Sequence, residues 1–250
     1  MCSLEKRGRV FVLTLTGDGE HRLSPDVIAA IRDALARVKC ESAAAGGRGF
    51  ALVTMAEGRF FSNGFDLAWA RSGGSASTIR TRLDSMGSLL RQLVADLLSL
   101  PMPTIAAVTG HAAAAGFMLA LSHDYVEMRG DRGFLYMSEI DIALPIPPYF
   151  MALMRSKITD PKVLRELVLE GKKIIAAEAM AKGIIDQAHG GAAETVKAAV
   201  RRAEELAEKN WIGEVYGSIR RGTLPEVRFA VGLPEETDEE RQKLLSASKL

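Results

Sequence analysis

Apolar positions fall along this chain in short blocks with two different periods. Residues 10–16 (VFVLTLT) form a continuous apolar run that predicts a buried strand, closed by Gly17-Asp18-Gly19. Ser24-Pro25 then has the form of a helix start, with Ser24 as N-cap and proline at the first helical position. Val27, Ile28, Ile31, Leu35 and Val38 follow at helical spacing. A glycine-rich loop at 43–49 leads into a second strand at 50–55 (FALVTM) and a turn containing Gly64. Ile79, Leu83, Met86, Leu90, Leu93 and Leu97 make a helical stripe over 79–98, which Pro101 and Pro103 end.

The second half repeats the alternation. A strand at 104–109 (TIAAVT) turns at Gly110-His111 into a small-residue helix, AAAAGFMLALS. Short strands are expected at 124–128 and 134–137, and helices near 149–156, 160–170 and 176–182. A last strand is expected at 184–188. Strand and helix alternate to about residue 190, which predicts an α/β fold with mostly parallel pairing. From 192 onward the pattern is helical and amphipathic. A core over 1–190 and a helical region over 191–250 are therefore expected, with 234–249 as a polar, solvated tail.

Composition narrows the field of partners. The chain has 250 residues, 48% hydrophobic and 25% charged, with net charge +1, so nothing asks for nucleic acid or an anionic membrane. No run is long and apolar enough to span a bilayer, and the N-terminus lacks a signal-peptide layout. Cys2 and Cys40 have no neighbours at metal-ligand or redox spacing, and no metal site is expected. The tripeptide Ser248-Lys249-Leu250 has the form read by peroxisomal import receptors, so a peroxisomal location is expected.

Three segments could carry chemistry. In Phe61-Ser62-Asn63-Gly64-Phe65-Asp66-Leu67, Gly64 permits a turn that aims a backbone N–H into a cavity. Asp66 is placed to hold that turn. The same pattern also fits an ordinary strand-to-helix connection. In Thr109-Gly110-His111-Ala112-Ala113-Ala114-Ala115-Gly116-Phe117-Met118, a helix begins among small residues, where free N–H groups could stabilise an oxyanion. Close helix–sheet packing would need the same small residues. In Met137-Ser138-Glu139-Ile140-Asp141-Ile142-Ala143-Leu144, Glu139 and Asp141 interrupt an apolar run. A carboxylate facing an apolar cavity has a raised pKa suited to a general base, whereas one at the surface is only solvated.

In this order the segments resemble the crotonase, or enoyl-CoA hydratase/isomerase, superfamily. The first resembles its Ser-x-Gly-x-Asp-[Leu/Ile] motif. The second resembles Asn-Gly-x-Ala-x-Gly-Gly-Gly, departing at Thr109, Ala114 and Ala115. The third resembles Pro-Glu-x-x-[Leu/Ile]-Gly, departing at Ser138 and Ala143. The likeness covers roughly 5–190 and is greatest to the plant peroxisomal Δ3,Δ2-enoyl-CoA isomerases. It implies a spiral of ββα units with a C-terminal helical trimerisation region, and hence a homotrimer or hexamer. It implies an oxyanion hole from the backbone N–H groups of Phe65 and Ala115. It also implies an acyl-CoA site lined by Ser62, Asn63, Gly64, Phe65, Asp66, Leu67, His111, Ala115 and Gly116. No separate cofactor is implied, because CoA is part of the substrate.

The carboxylates decide the reaction that the resemblance implies. Hydratases of the superfamily use two glutamates; here one position is Met118 and the other is Glu139. A thioether cannot activate water. One carboxylate can still carry a proton from C2 to C4 of a 3-enoyl-CoA, giving the trans-2-enoyl-CoA of fatty acid β-oxidation. Three alternatives stand beside this. Hydration would need Asp66 or Asp141 as a second acid/base. A Ser62/His111/Asp66 hydrolase lacks the GxSxG elbow. A pseudoenzyme would bind acyl-CoA without turnover.

Overall fold

The computed structural model describes residues 1–246; Ser248, Lys249 and Leu250 lie outside the described residues. The chain runs β1 (Cys2–Arg7), β2 (Val10–Leu15), α1 (Pro25–Ala44), β3 (Ala51–Ala56), β4 (Phe60–Ser62), α2 (Leu67–Arg71), α3 (Ala76–Leu98) and β5 (Thr104–Val108). It continues with β6 (His111–Ala113), α4 (Ala115–Leu121), β7 (Tyr125–Arg129), β8 (Leu135–Tyr136), α5 (Pro148–Lys157), α6 (Pro161–Val168) and α7 (Ala176–Ala181). Then come β9 (Gln187–His189), α8 (Ala192–Glu208), α9 (Gly213–Thr223), α10 (Pro225–Val231) and α11 (Asp238–Ser246).

Two sheets result. The larger has the order β1-β2-β3-β5-β7-β9, parallel except for the β1–β2 hairpin. The smaller is parallel, in the order β4-β6-β8. Each of the pairs β3–β4, β5–β6 and β7–β8 therefore sends one strand to each sheet before the chain turns helical, which is the spiral of ββα units.

The uninterrupted apolar strands follow from burial on both faces. Phe11, Leu13, Leu15, Leu52, Ala106 and Val108 face the main core with α1, α3, α4 and α5. Val10, Val12, Ala51, Val53, Ile105 and Ala107 face the opposite way, against Ala199, Ala203 and Ala207 of α8. Those three alanines recur every fourth residue, so one small-residue stripe lets α8 lie close on the sheet. Ser24 caps α1 as expected, its Oγ accepting from Val27 N–H at 3.3 Å.

Three expectations need correction. The first strand pattern begins at Cys2, not at residue 10. CSLEKR is an edge strand with a charged outer row, and such a strand lacks the apolar run that marks a buried one. His111–Ala113 form β6, and the helix starts only at Ala115. Pairing with β4 and β8 overrides the helical preference of the alanine run. The polar tail holds a helix, α11. Thr237 N–H donates to Glu240 Oε2 at 2.8 Å and Glu240 N–H donates to Thr237 Oγ1 at 3.2 Å, a reciprocal capping box.

Candidate active site

The turn after β4 is built by a second piece of chain laid along it. Asn63 N–H donates to Glu20 O (2.8 Å), Asp66 N–H to Leu23 O (3.4 Å), and Leu67 N–H to Phe65 O (3.0 Å). Gly64 N–H reaches Ser62 Oγ at 3.4 Å. Of the backbone N–H groups from Asn63 to Leu67, only that of Phe65 has no acceptor among the described residues. Leu23 N–H donates to Gly64 O at 2.8 Å. Because Gly64 C=O and Phe65 N–H belong to one planar trans peptide, that bond also points the Phe65 N–H the opposite way. Gly64 holds φ +74°. Asp66 caps α2, its Oδ1 accepting Trp69 N–H at 2.9 Å.

Ala115 is the first residue of α4, so its N–H has no intrahelical acceptor, and no side chain caps the helix. Ala114, just before it, is held at φ +49° and ψ −117°, a region normally left to glycine. Ala114 N–H donates to Tyr136 O at 2.8 Å, and Ala114 O accepts Met118 N–H at 3.0 Å. The two turns touch. A Cβ placed on Gly64 would lie 3.0 Å from Ala113 O and 3.6 Å from Ala115 N. One placed on Gly116 would lie 2.3 Å from Ser62 O. Only glycine at 116 lets α4 come this near β4.

Glu139 enters from the third strand of the small sheet. Tyr136, the residue bonded to Ala114, ends β8, and Glu139 follows three residues later in a turn closed by Leu144 N–H to Glu139 O (3.0 Å). Ala143 in that turn holds φ +54°, where the superfamily pattern has glycine. Glu139 is 7% exposed, and its Oε2 has no partner among the described residues. Burial raises its pKa above the usual carboxylate range, against a smaller opposing effect of its own and Ser138's backbone N–H.

Other expected site residues are placed as follows. Ser62 is fully buried, its Oγ donating to His21 O at 2.8 Å. Asn63 and Leu67 flank the free Phe65 N–H. His111 lies on the same face of the small sheet as Phe60, its strand partner, and its ring stacks on Phe134 at 5.4 Å. Burial lowers its pKa, helped by Arg59, Arg132 and Lys173. Its ring forms no hydrogen bond with Ser62, Phe65, Ala115 or Glu139 among the described residues. Met118 is fully buried in the main core. Tyr149 and Phe150 open α5 as core residues, with Phe150 beside the Phe65 ring at 6.3 Å. His123 is locked between Leu119 O and Thr54 Oγ1, and burial pushes its pKa down to about 4. A cleft of about 900 Å³ between α8 and the ends of β3 and β5 contains none of the expected site residues.

The segment Glu20–Leu23, which shapes the first turn, is a part of the site that sequence reading missed. Its contacts are 36 to 43 residues away along the chain, and no local pattern announces them.

Residues 10–213 match the family model described as enoyl-CoA hydratase/isomerase. The chain belongs to the enoyl-CoA hydratase/isomerase family. Among curated members of the family it is similar to "Enoyl-CoA delta isomerase 2, peroxisomal" of Arabidopsis thaliana, 56% identical over 93% of this chain and 96% of that one. It is also similar to "Enoyl-CoA delta isomerase 1, peroxisomal" of the same plant, 51% identical over 91% of each chain. Among solved structures of the family, the apo enoyl-CoA isomerase of Mycobacterium tuberculosis shares the fold. It has a TM-score of 0.79 and 23% identity, over 92% of this chain and 95% of that one.

Proposed function

We propose that this protein is a Δ3,Δ2-enoyl-CoA isomerase, with Glu139 as its base and the Phe65 and Ala115 N–H groups as its oxyanion hole. The Glu139 carboxylate takes a proton from C2 of a 3-enoyl-CoA. Electrons from that C–H bond form C1=C2, and the thioester oxygen takes the negative charge. The two backbone donors hold that charge. Glu139 then returns the proton to C4, the double bond settles between C2 and C3, and the thioester carbonyl is restored. Nothing is oxidised or reduced.

The observation that carries this reading is a buried carboxyl with an unpartnered oxygen, three residues beyond the Tyr136 that bonds Ala114, together with a turn in which only the Phe65 N–H lacks an acceptor among the described residues. The names of the Arabidopsis relatives agree with it. Hydration is disfavoured, because Met118 is apolar, Asp66 is committed to capping α2, and Asp141 is exposed. The test is direct. Purified protein given a 3-enoyl-CoA should form the 2-enoyl-CoA, and given the 2-enoyl-CoA should add water negligibly. Efficient hydration overturns the assignment.

In this reading Ser62, Asn63, Gly64, Asp66, Leu67 and Gly116 frame the CoA arm of the substrate, with His111 at its edge. Residues 191–250 assemble a trimer or a hexamer. The exposed Ile219 (62%) and Phe229 (86%) of α9 and α10 support such contacts. Ser248-Lys249-Leu250 is the import receptor's ligand, and the names of two relatives agree with a peroxisomal location. Sedimentation of the full chain and imaging of a tagged chain with Leu250 replaced test these two points.

A further inference from the structure

We propose that His21 is a positioning residue for this reaction, holding the strip of chain that aims the Phe65 N–H at the substrate oxygen. The proposal rests on the reading of Phe65 as an oxyanion donor.

His21 is a histidine that nothing in the proton shift uses, yet it is 4% exposed and sits at φ +48°. A non-glycine residue is kept in that region only where its surroundings over-determine it. Three bonds do so. Its N–H donates to Asp18 Oδ1 at 3.1 Å. Its carbonyl accepts Ser62 Oγ–H at 2.8 Å. Its ring Nε2 lies 2.6 Å from Glu57 O, and since a carbonyl only accepts, Nε2 carries the hydrogen. The ring thereby fastens the loop after β2 to the chain leaving β3. Its Nδ1 is buried without a partner among the described residues, a cost the fold carries at this position.

What His21 fastens is the template of the donor turn. On one side Glu20 O takes Asn63 N–H; on the other Leu23 N–H takes Gly64 O and so orients the Phe65 peptide plane. His21 lies between them and itself holds Ser62. If the strip shifts, the Gly64–Phe65 peptide is free to tilt, and a donor tilted by tens of degrees no longer meets the developing charge.

The experiment compares His21→Ala, His21→Gln and wild type at temperatures well below each measured Tm. Turnover of a 3-enoyl-CoA is one readout. The other is the infrared shift of the thioester carbonyl of a bound, ¹³C-labelled 2-enoyl-CoA, which reports polarisation by the donors without any turnover. The expectation for His21→Ala is a fall in kcat of about ten- to a hundredfold. KM should be little changed, and most of the carbonyl shift should be lost. The glutamine variant, whose amide N–H can reach Glu57 O, should recover much of both. Wild-type kcat and a full carbonyl shift in His21→Ala overturn the proposal. A wild type that shifts the carbonyl but does not isomerise removes the isomerase reading, while loss of the shift in His21→Ala still supports the role of His21. A wild type that binds the thioester without shifting it removes the donor reading and this proposal together.

Discussion

Replacing Glu139 by Gln should abolish catalysis and at the same time stabilise the fold, by an amount that grows with pH. Glu139 is 7% exposed and its buried Oε2 lacks a partner among the described residues, so the ionised form is poorly solvated. Burial accordingly raises its folded-state pKa. In the unfolded chain a glutamate ionises near its ordinary value of about 4.3. Below that value wild type is protonated in both states, and the two proteins should differ little. As pH rises, the unfolded chain loses its proton first, so wild type loses stability until pH passes the raised folded-state value. The amide of the Glu139→Gln variant cannot ionise, so the variant keeps that stability. The amide is itself buried and polar, so what the variant removes is only the penalty of ionisation, about 1.4 kcal/mol for each pKa unit by which the folded chain lies above the unfolded one. At about 2–4 °C per kcal/mol for a chain of this size, a Tm advantage of several degrees at neutral pH is expected. Loss of a general base should lower kcat by about 10²–10⁴-fold. In wild type the acid limb of kcat/KM should lie above the usual carboxylate range, because the base must be ionised to act. Thermal scans at several pH values and a coupled isomerase assay measure both effects. A variant that keeps its turnover, or a Tm difference independent of pH, refutes the reasoning.

Gly116→Ala should lower both Tm and kcat, since its Cβ would sit 2.3 Å from Ser62 O and 2.7 Å from Ser62 Cβ, forcing α4 and the Ala115 donor away from β4; calorimetry and turnover read the two losses. Ala114→Gly should do the reverse for stability, a gain of about 1 kcal/mol after the entropy of glycine offsets the relieved strain at φ +49°, with activity kept; a denaturant titration checks it. Arg220→Met should cost about 3–5 kcal/mol, measured the same way. It leaves the half-buried Asp124 without its charged partner, and Leu100 O, which Arg220 Nη1 meets at 2.7 Å, without that donor; the bond to Met102 O is lost too.

Much of the fold was legible because its causes are local. Continuous apolar strands, the Ser24-Pro25 helix start and the Leu90–Leu97 stripe each state their structure within a few residues. Edge strand β1 and strand β6 were not legible. A charged edge has no apolar run, and His111-Ala112-Ala113 becomes a strand only through its partners in β4 and β8. Helix α11 is a different case: its capping box, Thr237 with Glu240, was in plain view and was outweighed by the polar composition around it.

The site divides along the same line. Residue types alone marked Gly64, Asp66 and the pair Glu139 and Asp141, because a turn, a cap and an acid in an apolar run are each local facts; Phe65, Ala115 and the choice of Glu139 came from the motif resemblance. Which N–H stays free was decided only by tertiary structure. Asn63 and Asp66 donate to Glu20 and Leu23, some forty residues earlier, and Phe65 is left over. The burial that raises the Glu139 pKa and the seat of His21 likewise depend on segments far apart in the chain. Periodicity and caps act over one or two turns of chain, whereas desolvation and hydrogen-bond satisfaction depend on whatever the folded chain brings alongside.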